Sequence, residues 1–136
     1  MIVLDCSAAV EMVRETDQGL GFKELMLAGE EVVAPDLYAS ELNNSIFKYV
    51  RMGEVAADEA QEMGRIALGY VDTYVDCKTM WSEALSEAVK CQHPSYDIFY
   101  LVLARRNTAT LFTADRKLQR ICMESGVDCV YLDTEF

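Results

Sequence analysis

Four acidic residues lie far apart in the sequence, in positions from which a fold could gather them. They are Asp5, Glu41, Asp97 and Asp115. Each follows a short apolar run or belongs to a helical pattern that would direct its carboxylate into one shared cleft. Clustered carboxylates are the ligands that a hard divalent cation such as Mg²⁺ prefers. These four residues are therefore our candidate metal-binding set.

Two of the acids lie at the ends of predicted strands. Asp5 follows the apolar run 2–4, and Asp115 comes shortly after the run 110–113. In a parallel sheet flanked by helices, ligands bind beyond the carboxyl ends of the strands. Asp5 and Asp115 are therefore expected to project into the same crevice.

The other two acids lie on predicted helices, beside apolar residues. Glu41 has Leu42 and Ile46 as neighbours, and Asp97 lies in the first turn of a helix whose body, 98–104, is almost wholly apolar. A carboxylate at the edge of a buried face is costly unless it is paired or bound to a metal. Each of these two acids therefore needs a partner.

Each acid also has a structural interpretation that needs no metal. Asp97 could complement the positive end of its helix, which is worth a few tenths to ~1 kcal/mol. Asp115 could be a plain N-cap, and Glu41 could be exposed if the phase of its helix differs from our assignment. The combination of four acids, two of them at strand ends, favours the metal site.

The elements that must position these acids alternate between strand and helix. Such alternation predicts an α/β fold, a three-layer α/β/α sandwich around a mainly parallel sheet. The predicted strands cover residues 2–4, 31–34, 110–113 and 129–132, with 74–77 ambiguous. The predicted helices cover approximately residues 7–13, 21–28, 36–52, 58–71, 82–91, 95–104 and 115–124.

The composition indicates one globular domain. The chain has 136 residues, of which 51% are hydrophobic, and no linker or repeat. Its longest apolar runs are far shorter than the ~20 residues that a membrane span needs, and we expect a cytoplasmic protein. The formal net charge is −11, which is unusual for an enzyme that binds phosphates through Lys and Arg. Bound metal, a basic partner protein or a solvated acidic surface could each explain it.

The five cysteines do not form a recognisable metal or redox motif. They are an odd set without a C-x-x-C pair, and we expect them to be reduced and buried. A nucleophilic Cys6 is an alternative, but it needs a base, and the only histidine is His93, just before a proline.

Four stretches of the sequence resemble, in order and spacing, the blocks of the PIN-domain ribonucleases. The closest resemblance is to the VapC toxins of bacterial and archaeal toxin–antitoxin pairs, and it covers essentially the whole chain. Each block alone is weak, but the ordered set is specific. The stretches are residues 2–7, 34–44, 95–104 and 111–118.

The resemblance implies a site as well as a fold. It implies that the four acids match the quartet that holds Mg²⁺ or Mn²⁺ in this family. Ser7 and Thr113 match small hydroxyl positions beside the acids, and Asn44 matches a polar position one turn after Glu41. Arg116, which follows Asp115 directly, is a candidate contact to the phosphate backbone of an RNA substrate.

The resemblance also implies partners. A VapC-like protein would form a homodimer and bind a cognate antitoxin that covers the cleft. Such an antitoxin would supply Arg or Lys to the acidic pocket, which would account for part of the net charge.

Two other classes of function remain open from the sequence. One is a Mg²⁺-binding phosphoacceptor domain of the receiver type, although such a domain would have adjacent acids after its first strand, where Asp5 stands alone. The other is a non-catalytic module whose acids only recognise a basic partner.

Overall fold

In the computed structural model, strands and helices alternate along residues 1–26 and 29–131, the part of the chain that the structure describes. The strands are β1 (Ile2–Leu4), β2 (Val32–Pro35), β3 (Thr73–Val75) and β4 (Thr110–Phe112). The helices are α1 (Cys6–Arg14), α2 (Asp17–Leu25), α3 (Leu37–Arg51), α4 (Ala57–Gly69), α5 (Trp81–Cys91), α6 (Ser95–Asn107) and α7 (Arg116–Ser125). A 3₁₀ turn, Cys77–Met80, precedes α5.

The four strands form one sheet in the order β3-β2-β1-β4, and every pairing is parallel. Seven helices flank this sheet. The prediction of an α/β/α sandwich around a mainly parallel sheet is confirmed. The central strand β1 is wholly buried, as expected when helices cover both faces of a parallel sheet.

Helix α6 is the helix most deeply embedded in the core. Its residues Ile98 and Tyr100 to Ala104 are buried, and it packs against β1, β2 and β4. The apolar body of this helix fixes its position on the sheet through burial of nonpolar surface. Its first turn, which carries Asp97, is therefore held beside the sheet.

The outer edge of β4 is covered by a later segment of the chain. Leu111 donates its backbone N–H to the Asp128 carbonyl at 2.8 Å and accepts from the Val130 N–H at 3.1 Å. Cys129 forms only an isolated parallel bridge with Leu111. The predicted strand 129–132 is therefore reduced to one bridge among the described residues, and Leu132 lies outside them.

Several predicted element ends differ from the structure. Helix α2 begins at Asp17, four residues before the predicted start, because the Thr16 side chain accepts from the Gly19 N–H and caps it. The predicted end of this helix, Ala28, lies outside the described residues. The ambiguous stretch 74–77 contains the end of strand β3.

None of the helices among the described residues has the length and apolar character that crossing a membrane requires.

Candidate metal centre

The register of the sheet brings Asp5 next to Thr113. Leu4 pairs with Phe112 on the neighbouring strand, and the Asp5 N–H donates to the Phe112 carbonyl at 2.9 Å. Because both strands end at this level, their next residues, Asp5 and Thr113, leave the sheet side by side. Both side chains are buried.

Two hydroxyl groups hold the Asp5 carboxylate. Ser7 Oγ and Thr113 Oγ1 each donate to Asp5 Oδ2 at 2.6 Å. Both hydroxyls also accept backbone N–H groups of the loop after β4, from Ala114 at 3.0 Å and from Asp115 at 3.1 Å. Among the described residues Oδ1 of Asp5 accepts no hydrogen bond, which leaves this oxygen available to a ligand.

Burial dominates the titration of Asp5, which is 4% exposed. Desolvation raises its pKa from 3.8 to about 6, against the opposing effect of the two hydroxyl hydrogen bonds. The negative charges of Asp97 and Asp115 contribute to the same rise in pKa. Asp97 and Asp115 are therefore the acids whose charges act on the Asp5 carboxyl group.

Asp115 is both an N-cap and a neighbour of Asp97. Its Oδ1 accepts the backbone N–H groups of Lys117 at 2.9 Å and Leu118 at 3.4 Å. Asp115 is thus an N-cap, as the sequence allowed. The cap uses only Oδ1 and does not conflict with a metal-binding role for Oδ2.

Asp97 pairs with the only histidine of the chain. His93 Nε2 lies 2.8 Å from Asp97 Oδ2, and the two side chains are 9% and 25% exposed. Burial raises the pKa of Asp97, and the hydrogen bond from His93 opposes this shift. One ligand atom from each of His93, Asp97 and Asp115 lies within 4.8 Å of the others.

Glu41 lies half-buried on α3, one oxygen bound by a tyrosine of the core. The buried Tyr100 hydroxyl donates to Glu41 Oε1 at 2.7 Å. Desolvation nevertheless raises the pKa of Glu41 to about 7, and the charges of Asp5 and Asp97 contribute to this rise. Glu41 therefore belongs electrostatically to the same group of acids.

The charge of Asp5 thus interacts with those of Asp97 and Asp115, and the charge of Glu41 interacts with those of Asp5 and Asp97. Asp97 and Asp115 form the tight group with His93, whereas Asp5 and Glu41 lie outside that group. Their roles as metal ligands stay predictions. Desolvation and repulsion between the acids raise the pKa values of Asp5, Glu41 and Asp97. A bound divalent cation would relieve both effects, so this group of acids fits such an ion.

His93 is the residue that the sequence analysis missed as part of this site. From the sequence, His93 was a candidate only as a base for Cys6. The signal that could have identified it is the spacing of four residues to Asp97 across a helix start. Burial also raises the pKa of the Cys6 thiol to about 12, so this thiol stays protonated near neutral pH and is a poor nucleophile.

The predicted polar contacts differ in how they relate to the acids. Ser7 and Thr113 touch Asp5, as described above. Asn44 and Arg116 are exposed on α3 and α7, and neither forms a side-chain hydrogen bond within the described residues. Their predicted contacts to substrate stay predictions.

A separate apolar groove of about 570 Å³ lies between α3 and α4. It is lined by residues such as Leu42, Ile46, Phe47 and Leu68. None of the four acids lines it, so this groove is distinct from the candidate metal centre.

The fold and the acidic site together define a class of protein. The model of the PIN domain family matches residues 2–123, and the chain belongs to this family. PIN domains are generally nucleases that use divalent metals. This membership sets aside the receiver-type interpretation. No curated protein matches the sequence.

Two solved structures are similar to this chain in fold. The crystal structure of PAE2754 from Pyrobaculum aerophilum has a TM-score of 0.69 and 24% identity over 88% of this chain and 84% of that chain. The crystal structure of VapBC2 from Rickettsia felis, bound to a DNA fragment from its promoter, has a TM-score of 0.69 and 18% identity, over 98% of this chain and 100% of that one.

Proposed function

We propose that this chain is a Mg²⁺- or Mn²⁺-dependent endoribonuclease, a single PIN-like domain over residues 1–136 and the toxin of a toxin–antitoxin pair. The observation that carries this proposal is the grouping of Asp97 and Asp115 with His93, one ligand atom of each within 4.8 Å of the others, in a chain of the PIN family. The charge of Asp5 interacts with those of Asp97 and Asp115, and the charge of Glu41 with those of Asp5 and Asp97. When bound, the divalent ion would supply the activation of water and the stabilisation of charge on the scissile phosphate.

The carboxylate oxygens that form no hydrogen bond among the described residues determine which atom each acid would offer to the metal. Asp5 would present Oδ1, since Ser7 and Thr113 hold its Oδ2. Asp115 would present Oδ2, because its Oδ1 caps α7. In both residues, the oxygen that the protein binds fixes the direction of the other one.

Glu41 is the acid best suited to proton transfer. Its Oε1 accepts from Tyr100, which leaves Oε2 to take up or release a proton. In the metal-free protein its carboxyl group has a pKa of about 7. A nearby bound cation would lower this pKa and leave Glu41 as a carboxylate that can accept a proton. Glu41 would therefore contribute as a ligand or as a proton acceptor.

Several cations that form no ion pair among the described residues lie on the helices that carry or follow Glu41 and Asp115. Six of the twelve Lys and Arg residues form ion pairs within the described residues, and they are Arg14, Lys23, Arg65, Lys78, Arg105 and Arg106. Of the others, Lys48 and Arg51 lie on α3, the helix of Glu41. Arg116, Lys117 and Arg120 lie on α7, directly after Asp115.

This placement supports phosphate binding despite the net charge of −11. Lys and Arg side chains attract a phosphate backbone most strongly where no acid neutralises them. We propose that the α7 cations, Arg116, Lys117 and Arg120, contact the RNA backbone on one side of the acids. Lys48 and Arg51 would contact it on the other side.

The nuclease proposal is tested by metal-dependent cleavage of total cellular RNA, with product ends mapped by sequencing. We expect defined cleavage with Mg²⁺ or Mn²⁺, none with a chelator, and no cleavage of single-stranded DNA of the same sequence. Asp5→Asn and Asp97→Asn should lose cleavage, whereas Asp128→Asn, which changes an exposed acid outside the proposed set, should retain it. Equal cleavage by the Asp5→Asn and Asp97→Asn variants would contradict the proposal.

A cognate antitoxin and a homodimer are part of the same proposal. The fold similarity to VapBC2 and the acidic cluster both support a partner that offers Arg or Lys to the site. We expect a small protein with a basic tail, encoded beside this chain, to inhibit cleavage with one-to-one stoichiometry. Light scattering of the purified chain tests the homodimer.

A non-catalytic module is the second candidate function, and the net charge of −11 favours it. In that case the acids would only recognise a basic protein. The RNA-cleavage experiment separates the two candidates, because a pure binding module would bind the basic partner but leave every RNA intact at any metal concentration.

A further inference from the structure

His93 lies in the short loop between α5 and α6, and the His93 ring points inward. Helix α5 ends at Cys91, and the next residue, Gln92, has a left-handed backbone with φ of 53°. Pro94 occupies the N-cap position of α6. A residue before proline is restricted to extended backbone, so both neighbours limit the path of the chain at His93. Gln92 and Pro94 are exposed, whereas the His93 side chain is 9% exposed.

Pro94 removes the backbone N–H to which Asp97 would otherwise bond. Asp97 is the third residue of α6, and an acidic side chain at this position commonly reaches back to the backbone N–H of the N-cap residue. Here the N-cap is Pro94, which has no N–H. The Asp97 carboxylate instead bonds the His93 ring, with 2.8 Å between Nε2 and Oδ2.

We propose that His93 is a positioning residue of the metal centre, whose Nε2–H donates to Asp97 Oδ2 and holds the Asp97 carboxylate beside Asp115. This inference rests on the proposed metal centre. It assigns the proton to Nε2, which makes the ring a donor to a ligand and not itself a ligand through that atom. The Asp97 side chain is 25% exposed, so without the ring it could rotate towards solvent.

The expected effect follows from how metal sites depend on the groups that orient their ligands. Removing a hydrogen-bond partner of a ligating side chain typically lowers metal affinity 10–100-fold. The His93–Asp97 bond has the same character as the hydroxyl bonds to Asp5. It differs in that a single side chain provides it.

The experiment uses the full-length chain and three substitutions. His93→Gln keeps an N–H near the position of Nε2, whereas His93→Leu and His93→Asn remove it, Asn because its amide is too short to reach Asp97. Gln92→Leu is the matched control in the same loop. The readouts are Mn²⁺ affinity by titration calorimetry and the melting temperature of the metal-free protein.

We expect His93→Leu and His93→Asn to bind Mn²⁺ about 10–100-fold more weakly than the wild type. Their metal-free melting temperatures should stay close to that of the wild type, and His93→Gln should retain most of the affinity. Wild-type Mn²⁺ affinity in both loss variants would overturn the inference and leave the metal centre intact. Absence of Mn²⁺ binding by the wild type would overturn both.

A second measurement tests whether His93 positions Asp97 or binds the metal itself. The chain has one histidine, so a sample labelled with ¹⁵N at histidine reports on this ring alone. A positioning role predicts that Mn²⁺ produces no hyperfine coupling of a directly bonded histidine nitrogen in pulsed electron paramagnetic resonance. Such a coupling would make His93 a ligand and overturn the positioning role.

Discussion

Thr113 and Asp5 are separated by most of the chain, yet Thr113 Oγ1 donates to Asp5 Oδ2 at 2.6 Å. The Thr113 hydroxyl also accepts the Asp115 N–H at 3.1 Å. One buried hydroxyl thus connects the acid after β1 with the acid after β4. The relative position of these two acids depends on this contact.

Thr113→Val should damage both stability and the site. Valine has nearly the same shape but no hydroxyl, so Asp5 loses a donor and the Asp115 N–H loses an acceptor. We expect the free energy of unfolding to fall by about 1–3 kcal/mol, together with a loss of metal-dependent RNA cleavage. Chemical denaturation and cleavage assays measure the two effects. Thr110→Val, in the strand β4 that precedes Thr113, is the control, and equal behaviour of the two variants would contradict the prediction.

The metal-free protein should become less stable as the pH rises from about 4 to about 7. Burial raises the pKa of Asp5 from 3.8 to about 6, so the folded state holds this proton more tightly than the unfolded state. The stabilisation is complete below the unfolded pKa and is lost as the pH rises through the folded pKa. About 2 pKa units correspond to on the order of 3 kcal/mol.

The test compares wild type with Asp5→Asn by denaturant unfolding at several pH values without metal. Asparagine does not ionise, so the difference in free energy of unfolding between variant and wild type should grow in favour of the variant from pH 4 to pH 7. A pH-independent difference for Asp5→Asn would refute the role of burial.

Divalent ions should stabilise the folded protein by mass action. An ion that binds only the folded state contributes about 2.7 kcal/mol at 100 times its dissociation constant. We expect the melting temperature to rise with Mg²⁺ or Mn²⁺ at constant ionic strength, and to rise much less in Asp97→Asn and Asp115→Asn. An equal rise in both variants would mean that the ion binds elsewhere.

The α7 cations should control the salt dependence of RNA binding. Each phosphate contact to single-stranded RNA contributes about 0.7 to the slope of log affinity against log salt concentration. Arg116→Gln, Lys117→Gln and Arg120→Gln should each weaken binding and reduce this slope by about 0.7, measured on the cleavage-deficient Asp97→Asn background. Arg65→Gln is the control because Arg65 already pairs with Glu62. Unchanged slopes in all α7 variants would remove these cations from the substrate path.

Much of the fold could be predicted because local patterns determine it. Asp5 follows a buried apolar run, and a parallel sheet places such residues at one edge. The start of α2 was missed because Gly19 and Gly21 weaken its helical pattern, although Thr16 provided the capping signal. Strand 129–132 was overestimated because composition does not reveal how many residues find a pairing partner.

The site could be predicted only in part, since its contacts are long-range. The acids are recognisable by type and by the strand ends they follow. The grouping of His93 with Asp115 depends on how α6 lies on the sheet, and no local pattern specifies this. The hydrogen bond between His93 and Asp97 is local, and the spacing of four residues across the start of α6 was its signal in the sequence.

The covered edge of β4 limits how an inhibitor could approach this site. Leu111 already exchanges backbone hydrogen bonds with Asp128 and Val130, so a foreign peptide finds no vacant main-chain groups at this residue. Inhibitors that add an extra strand need such groups. A protein that silences this domain therefore cannot do so by pairing a strand with β4 at Leu111.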